Sequence, residues 1–340
     1  MNSFGLDCPG YDVIPSYIPF SPRIIVIGDI HGDFAVSKQI FQKLNLIDNL
    51  NKWIAIPKNT VVVQVGDQLD RCRPNIFPCS NPVATEDDES DINVLDFFNL
   101  IHSQAIRHGG GVYSLLGNHE IMNVHGDMNY VSAEGLKTFE GYEDKDHPDK
   151  KFDDSLDARK YAFKPGSEYA RLLACTRQTS IIVGSNLFVH AGILPSVVND
   201  LKLQTREGFD RMNETIRKWL LGILDSSQVD KDMFSSKSPF WTRVFGNIAP
   251  NLQDTDPTCG NMLIPVLNGL RINNMIVGHT PQLSHGINST CSSKLWRVDI
   301  GMSKAFDQYD FMKMQGLLSK QRSPHVLEII NDKEFNIVEV

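Results

Sequence analysis

Five short apolar runs in this 340-residue chain each stop at a residue able to bind a metal ion. Ile24 to Gly28 runs into Asp29, Ile30 and His31, and Val61 to Gly66 runs into Asp67. Val112 to Gly117 runs into Asn118, His119 and Glu120, Leu187 to Val189 into His190, and Met275 to Gly278 into His279. Short β-branched runs bounded by glycine read as buried strands. In open α/β sheets, ligands gather just beyond the carboxyl ends of the strands. Five such ends would bring Asp29, His31, Asp67, Asn118, His190 and His279 together, a donor set able to cage two metal ions.

The rest of the first third alternates between strand and helix signals. Phe34 to Leu46 reads as a helix, and Ser90-Asp91 precedes a second from Ile92 to Ile106, where Val94, Phe97, Phe98 and Ile101 keep helical spacing. Strand–helix alternation of this kind implies right-handed βαβ units and a largely parallel sheet. Two polar stretches interrupt it. Residues 73–91, with the acidic run Glu86-Asp87-Asp88-Glu89, read as a surface loop, and residues 127–176 as a cap over the sheet edge.

The second half has a different pattern. Residues 180–189 read as a hairpin, Glu207 to Leu224 and Cys259 to Leu270 as helices, and Leu295 to Ile300, His325 to Ile330 and Phe335 to Val340 as closing strands. That is more strand than one sheet holds comfortably. The expected fold class is therefore α/β, with two facing mixed sheets flanked by helices. Residues 1–22 are expected as an N-terminal extension, and 23–340 as one domain carrying the cap at 127–176.

A net charge of −8 argues against a broad basic surface for nucleic acid. No apolar run approaches the length of a membrane span, and Met1 to Pro22 lacks the basic and apolar regions of a secretory signal, so the expected address is cytoplasmic. The six cysteines form no CxxC pair. Cys72 and Cys79 could close a loop disulfide, but for a cytoplasmic chain two free thiols are the expectation.

Taken together, the motifs resemble those of the phosphoprotein phosphatase family of metallophosphoesterases, whose fold is calcineurin-like. Gly28-Asp-Ile-His-Gly-Asp33, Gly66-Asp-Gln-Leu-Asp-Arg71 and Gly117-Asn-His-Glu120 are similar to its first three signatures. Phe188-Val-His-Ala-Gly192 and Gly278-His-Thr280 are similar to its fourth and fifth. Within the family, Asn129-Tyr-Val-Ser132, Pro239-Phe-Trp-Thr-Arg243 and Arg297-Val-Asp-Ile-Gly-Met-Ser303 resemble the Shewanella-like, or bacterial-like, branch.

The resemblance implies a role for each residue. Asp29, His31 and Asp67 would bind one divalent metal, and Asp67, Asn118, His190 and His279 a second, with Asp67 bridging. Carboxylate and imidazole together suit manganese, with iron or zinc as alternatives. Two such ions would activate a bridging hydroxide for attack on phosphorus. His119 would be the general acid for the leaving group, oriented by Asp70. Arg71 and Arg243 would clamp phosphate oxygens with their guanidinium forks, beside Asn118. Glu120 reads as a structural hydrogen-bonding partner. Thr280 stands where many other metallophosphoesterases place a second histidine, which favours the phosphatase family over nuclease-like relatives.

The expected function is hydrolysis of phosphomonoesters on a phosphorylated protein or peptide, with no nucleic-acid or membrane partner. A diadenosine-tetraphosphatase-like activity and a catalytically silent binding protein are the alternatives. Cys72 stands where eukaryotic members usually have glycine, and their Ser-Ala-Pro-Asn-Tyr stretch is replaced by Asp299-Ile-Gly-Met-Ser303. The choice between phosphotyrosine and phosphoserine or phosphothreonine, and the oligomeric state, stay open at this point.

Overall fold

The structure, a computed structural model, describes residues 4–74, 78–79, 81, 91–307 and 322–340. Most of the expected loop at 73–91, including its acidic run, lies outside the described residues. In chain order the strands are β1 (Tyr17–Ile18), β2 (Arg23–Ile27), β3 (Val61–Gln64), β4 (Gly111–Leu115), β5 (Arg177–Gln178) and β6 (Ser180–Val183). They continue with β7 (Asn186–Val189), β8 (Asn274–Val277), β9 (Asn288–Thr290), β10 (Leu295–Arg297), β11 (His325–Ile330) and β12 (Glu334–Glu339).

These strands form two six-stranded mixed sheets. One has the order β12-β11-β2-β3-β4-β5 and the other β1-β6-β7-β8-β10-β9. β2, β3 and β4 are parallel, with Ile24 opposite Val61 and Val61 opposite Gly111. Ile24 to Ile27 and Val61 to Gln64 are buried without alternation, as expected for strands covered on both faces. One hydrophobic cluster joins them to the Phe34–Lys43 and Asp91–Ala105 helices through Phe41, Phe97 and Phe98, and to the second sheet through Phe188, Ile276 and Trp296. The core therefore lies between the sheets and under these helices.

In the second sheet, β6 and β7 form the expected antiparallel hairpin, with Ile181 opposite Phe188. β8 runs parallel to β7, so the ends carrying His190 and His279 lie on the same edge. The closing hairpin β11–β12 turns at Asn331 and Asp332, both in the left-handed region. The expected single helix from Cys259 to Leu270 is instead two, Pro257–Met262 and Ile264–Leu270. Pro265 accounts for the break, because it has no N–H to continue the first helix.

Residues 127–176 hold three helices, Ala133–Lys137, Ser155–Phe163 and Glu168–Thr176. The stretch 1–22 contributes strand β1, which pairs with β6, and buries Phe4 in the core. The free-thiol expectation is overturned: Cys72 pairs with Cys79, Cys8 with Cys175, and Cys259 with Cys291. The sequence distances of the last two pairs hid them, because pairing depends on the fold bringing Cα atoms to within 5.5 to 5.6 Å. Among the described residues, no helix is long and apolar enough to cross a membrane.

Candidate active site

The ligand-bearing turns are tied to one another by their backbones. Ile30 and His31 each donate an amide to the Asp67 carbonyl, at 3.0 and 2.9 Å, which joins the turn after β2 to the turn after β3. The Glu120 carboxylate accepts four amides, from Gly117 at 2.7 Å, Gln68 at 2.8 Å, Asp67 at 2.9 Å and Leu69 at 3.1 Å. It thereby joins the turns after β3 and β4. His31, Asp67, Asp70 and His279 all have positive φ, between 44° and 71°. That backbone is rare outside glycine and persists only where surrounding contacts hold it. The glycines serve close approach: a Cβ on Gly117 would overlap the Asp67 carboxylate, and one on Gly278 the Asp29 carboxylate.

The expected metal donors converge. Four of the six fall into two compact groups that share Asp67: His31 and Asp67 group with His119, expected as the acid rather than as a ligand, and Asp67 groups with His190 and His279. Asn118 Oδ1 lies 3.0 Å from His190 Nε2 and 2.8 Å from His279 Nδ1. Asp29 Oδ2 lies 4.0 Å from His31 Nε2 and accepts the His279 amide at 3.1 Å.

Each imidazole is oriented by a carbonyl, which can only accept. His31 Nδ1 donates to Leu69 O at 3.1 Å and His190 Nδ1 to Val65 O at 2.8 Å, leaving Nε2 of each turned inward. His279 is reversed, since its Nε2 donates to Trp241 O at 3.1 Å and its Nδ1 faces Asn118. This fixing of the second ring nitrogen is typical of metal-binding histidines.

The electrostatics agree with a cation site. Burial, reinforced by Asp299 and Asp67, holds the Asp29 carboxyl well above its ordinary range. Burial, with Asp67 adding, pushes Asp299 up to about 6, and its Oδ2 has no hydrogen-bond partner among the described residues. Burial brings His279 down to about 2 and lowers His31 strongly, so both are neutral and free to donate a lone pair. Burial also opposes the charged form of His190, but Asp67 outweighs it and raises this histidine. A divalent ion would take the place of that proton. Crowded buried carboxyls beside inward-facing imidazoles therefore fit a pair of divalent metals, which Asp29, His31, Asp67, Asn118, His190 and His279 would hold.

Next to these groups, His119 Nδ1 is bonded to Asp70 Oδ2 at 2.6 Å, and its Nε2 lies 3.9 Å from Asp67 Oδ2. His119 also lines a pocket of about 1340 Å³, together with His31, Asp67, Asn118 and His279. Arg243 lines the same pocket and donates to the His279 carbonyl at 3.4 Å.

Arg71 does not reach this wall. It is buried behind it, where Nη1 donates to Gly32 O at 2.8 Å and lies 3.9 Å from Asp33 Oδ1, so the side chain braces the first turn. Arg73, in the loop expected at the surface, takes the pocket position. Its guanidinium packs over Phe306 at 4.6 Å and Tyr130 at 5.6 Å and touches His31 Nε2. The one signal for it was its place between Cys72 and Cys79, whose disulfide closes the loop beside the pocket. Asp299, which stands out in the sequence only as part of the Arg297–Ser303 motif, lines the pocket too.

With this geometry in place, comparison with known proteins is decisive about family. The model of the calcineurin-like phosphoesterases matches residues 22–283. The chain belongs to that family. It is 38% identical over 259 residues to the uncharacterized protein R398 of Acanthamoeba polyphaga mimivirus, a match covering 71% of this chain and 97% of that one. It is 29% identical to Shewanella-like protein phosphatase 2 of Arabidopsis thaliana, over 93% of this chain and 77% of the relative.

Among solved structures, a cold-active protein tyrosine phosphatase superimposes with a TM-score of 0.67 at 19% identity, covering 96% of this chain and 81% of that one. A cold-active protein-tyrosine phosphatase of a psychrophilic Shewanella species superimposes with a TM-score of 0.62 at 18% identity, covering 96% and 83%. These neighbours bear out the calcineurin-like fold, and the relatives place this phosphoesterase with the Shewanella-like branch of the phosphoprotein phosphatases.

Proposed function

We propose that this chain is a two-metal phosphatase that hydrolyses phosphomonoesters on proteins, with phosphotyrosine preferred. The observation that carries the reading is His119, bonded to Asp70 and lining the same pocket as the expected metal ligands His31, Asp67, Asn118 and His279. When bound, divalent ions supply Lewis-acid stabilisation of phosphoryl charge and an activated water. Manganese is the proposed pair, with iron or zinc compatible with the same donors.

The protein's own side chains supply the rest. Arg73 and Arg243 offer guanidinium groups at the pocket wall for the non-bridging phosphate oxygens, with the Asn118 amide beside them. His119 Nε2 carries the proton for the departing oxygen, because Asp70 occupies Nδ1 and stabilises the imidazolium. Beyond these groups the wall is partly apolar, with Met122, Met128, Tyr130, Leu136 and Trp241. An aryl ring packs against such a surface better than the short alkyl stem of phosphoserine does.

The deciding experiment loads the purified protein with Mn²⁺. It compares turnover on phosphotyrosine peptides, phosphoserine and phosphothreonine peptides, and diadenosine tetraphosphate. The phosphotyrosine peptide is expected to be fastest, and His119→Asn is expected to slow it by about 10²- to 10⁴-fold with metal content intact. Faster cleavage of the nucleotide would transfer the reading to nucleotide hydrolysis, and no turnover on any of them would favour a binding protein.

The disulfides bear on the cellular address. Three disulfides that pair all six cysteines fit an oxidising compartment better than the cytoplasm expected from the sequence. Alkylation of the untreated protein followed by mass measurement is expected to find no free thiol.

A further inference from the structure

Behind the His119–Asp70 pair lies a buried ionic network that the mechanism above does not use. Arg159, on the Ser155–Phe163 helix, is fully buried. Its Nη2 donates to Asp91 Oδ2 at 2.6 Å, its Nε to Asn123 Oδ1 at 3.0 Å and its Nη1 to Gly135 O at 3.1 Å. The rings of Phe139 and Phe163 pack against the guanidinium at 5.3 and 5.0 Å. Both groups held by Arg159 side-chain bonds turn towards Asp70. Asp91 Oδ1 accepts the Asp70 amide at 2.9 Å, and Asn123 Nδ2 donates to Asp70 Oδ1 at 2.8 Å. Arg159 Nη2 itself lies 3.8 Å from Asp70 Oδ1.

Asp70 thus has one carboxylate oxygen on His119 and the other on Asn123, and its amide on Asp91. It also has a φ of 71°, a backbone that needs such restraint. The Asn123 amide can point only one way, because Arg159 requires its oxygen and Asp70 its nitrogen. A guanidinium fork meets an acid, a side-chain amide oxygen and a backbone carbonyl from three separate nitrogens, a planar spread that a compact ammonium does not match.

We propose that Arg159 is a positioning residue for the general acid: through Asp91 and Asn123 it fixes the orientation of Asp70, and through Asp70 the aim of His119. The inference rests on His119 being the acid. It gives residues 127–176 a part in the chemistry as well as in shaping the pocket. Lys160, the next residue on the same helix, lines the pocket, so one helix touches the substrate space and braces the acid from behind.

The test uses two aryl phosphates on the metal-loaded full-length protein. Phenyl phosphate has a poor leaving group and depends on the acid, whereas dinitrophenyl phosphate departs without a proton. Arg159→Met is expected to lower kcat on phenyl phosphate by about 10²-fold, the size of effect that a small misplacement of a reacting group produces. Turnover of the dinitrophenyl ester, KM for both and metal content should be nearly unchanged. Arg159→Lys should fall between wild type and Arg159→Met, and His119→Asn should show the same selectivity more strongly.

Equal losses on both esters in Arg159→Met would reduce Arg159 to a structural tie and overturn the proposal. Selective loss in His119→Asn with none in Arg159→Met would overturn the positioning role alone. Equal losses in His119→Asn would remove the acid assignment and the positioning role with it. Should Arg159→Met fail to fold, Asp91→Asn carries the same expectation and the same refutation.

Discussion

At the scale of single residues, the site is made of side chains whose backbones are held in unusual places. Asp67 and His279 have positive φ where the chain turns inward two or three residues beyond β3 and β8, and His31 and Asp70 have it further along the loops after β2 and β3. The Asp67 and His279 turns were legible in the sequence, since a glycine before an aspartate or histidine at the end of an apolar run marks such a turn. The choice between neighbouring arginines was not legible. Arg71 and Arg73 stand two apart in a loop without regular structure, so no periodicity says which faces the pocket. Folding gives Arg71 to the Gly32 carbonyl and Arg73 to the pocket. Arg73→Ala is therefore expected to lower kcat/KM on a phosphotyrosine peptide by about 10²-fold, the size of losing one charge-stabilising donor. Arg71→Ala should act first on stability. Steady-state kinetics beside thermal melts check the ranking, and the reverse order would return the clamp to Arg71.

At the scale of elements, strand ends become a site only because something locks them together. Glu120 does this by accepting four amides from two separate turns. Its role as a hydrogen-bonding partner was readable from its place after His119, but the four donors were not, because three of them lie about fifty residues away in sequence. Glu120→Ala would leave those buried amides unmet. It is expected to lower stability by at least about 3 kcal/mol in denaturant unfolding, since each unsatisfied buried donor costs roughly 1–3 kcal/mol. A loss under about 1 kcal/mol would show that water replaces the carboxylate there. Strands and long helices were legible by periodicity. Asp91 was legible only as a helix start, and its service to Asp70 and Arg159 appears once the Ser155–Phe163 helix is packed against it.

At the scale of the molecule, two sheets bring β2, β3 and β4 against β7 and β8, and the disulfides fasten what surrounds them. Cys8–Cys175 joins the N-terminal stretch to the helix before β5 across 167 residues of sequence. Cross-links that close long loops restrict the unfolded chain most, so Cys8→Ser is expected to lower stability by about 2–5 kcal/mol, more than opening the Cys72–Cys79 loop of seven residues' separation. Urea unfolding of the two variants checks this, and equal losses would point to native-state packing as the cause. Pairings of this kind cannot be read along a chain with six scattered cysteines, whereas the convergence of five strand ends could be.

That convergence rests on one shared carboxylate, common to both donor groups. The most direct measurement is the metal content per chain of Asp67→Asn beside wild type, after identical Mn²⁺ loading and desalting. Wild type is expected to hold two ions and Asp67→Asn fewer than one. A variant that keeps both at full affinity would contradict a two-metal site built around Asp67.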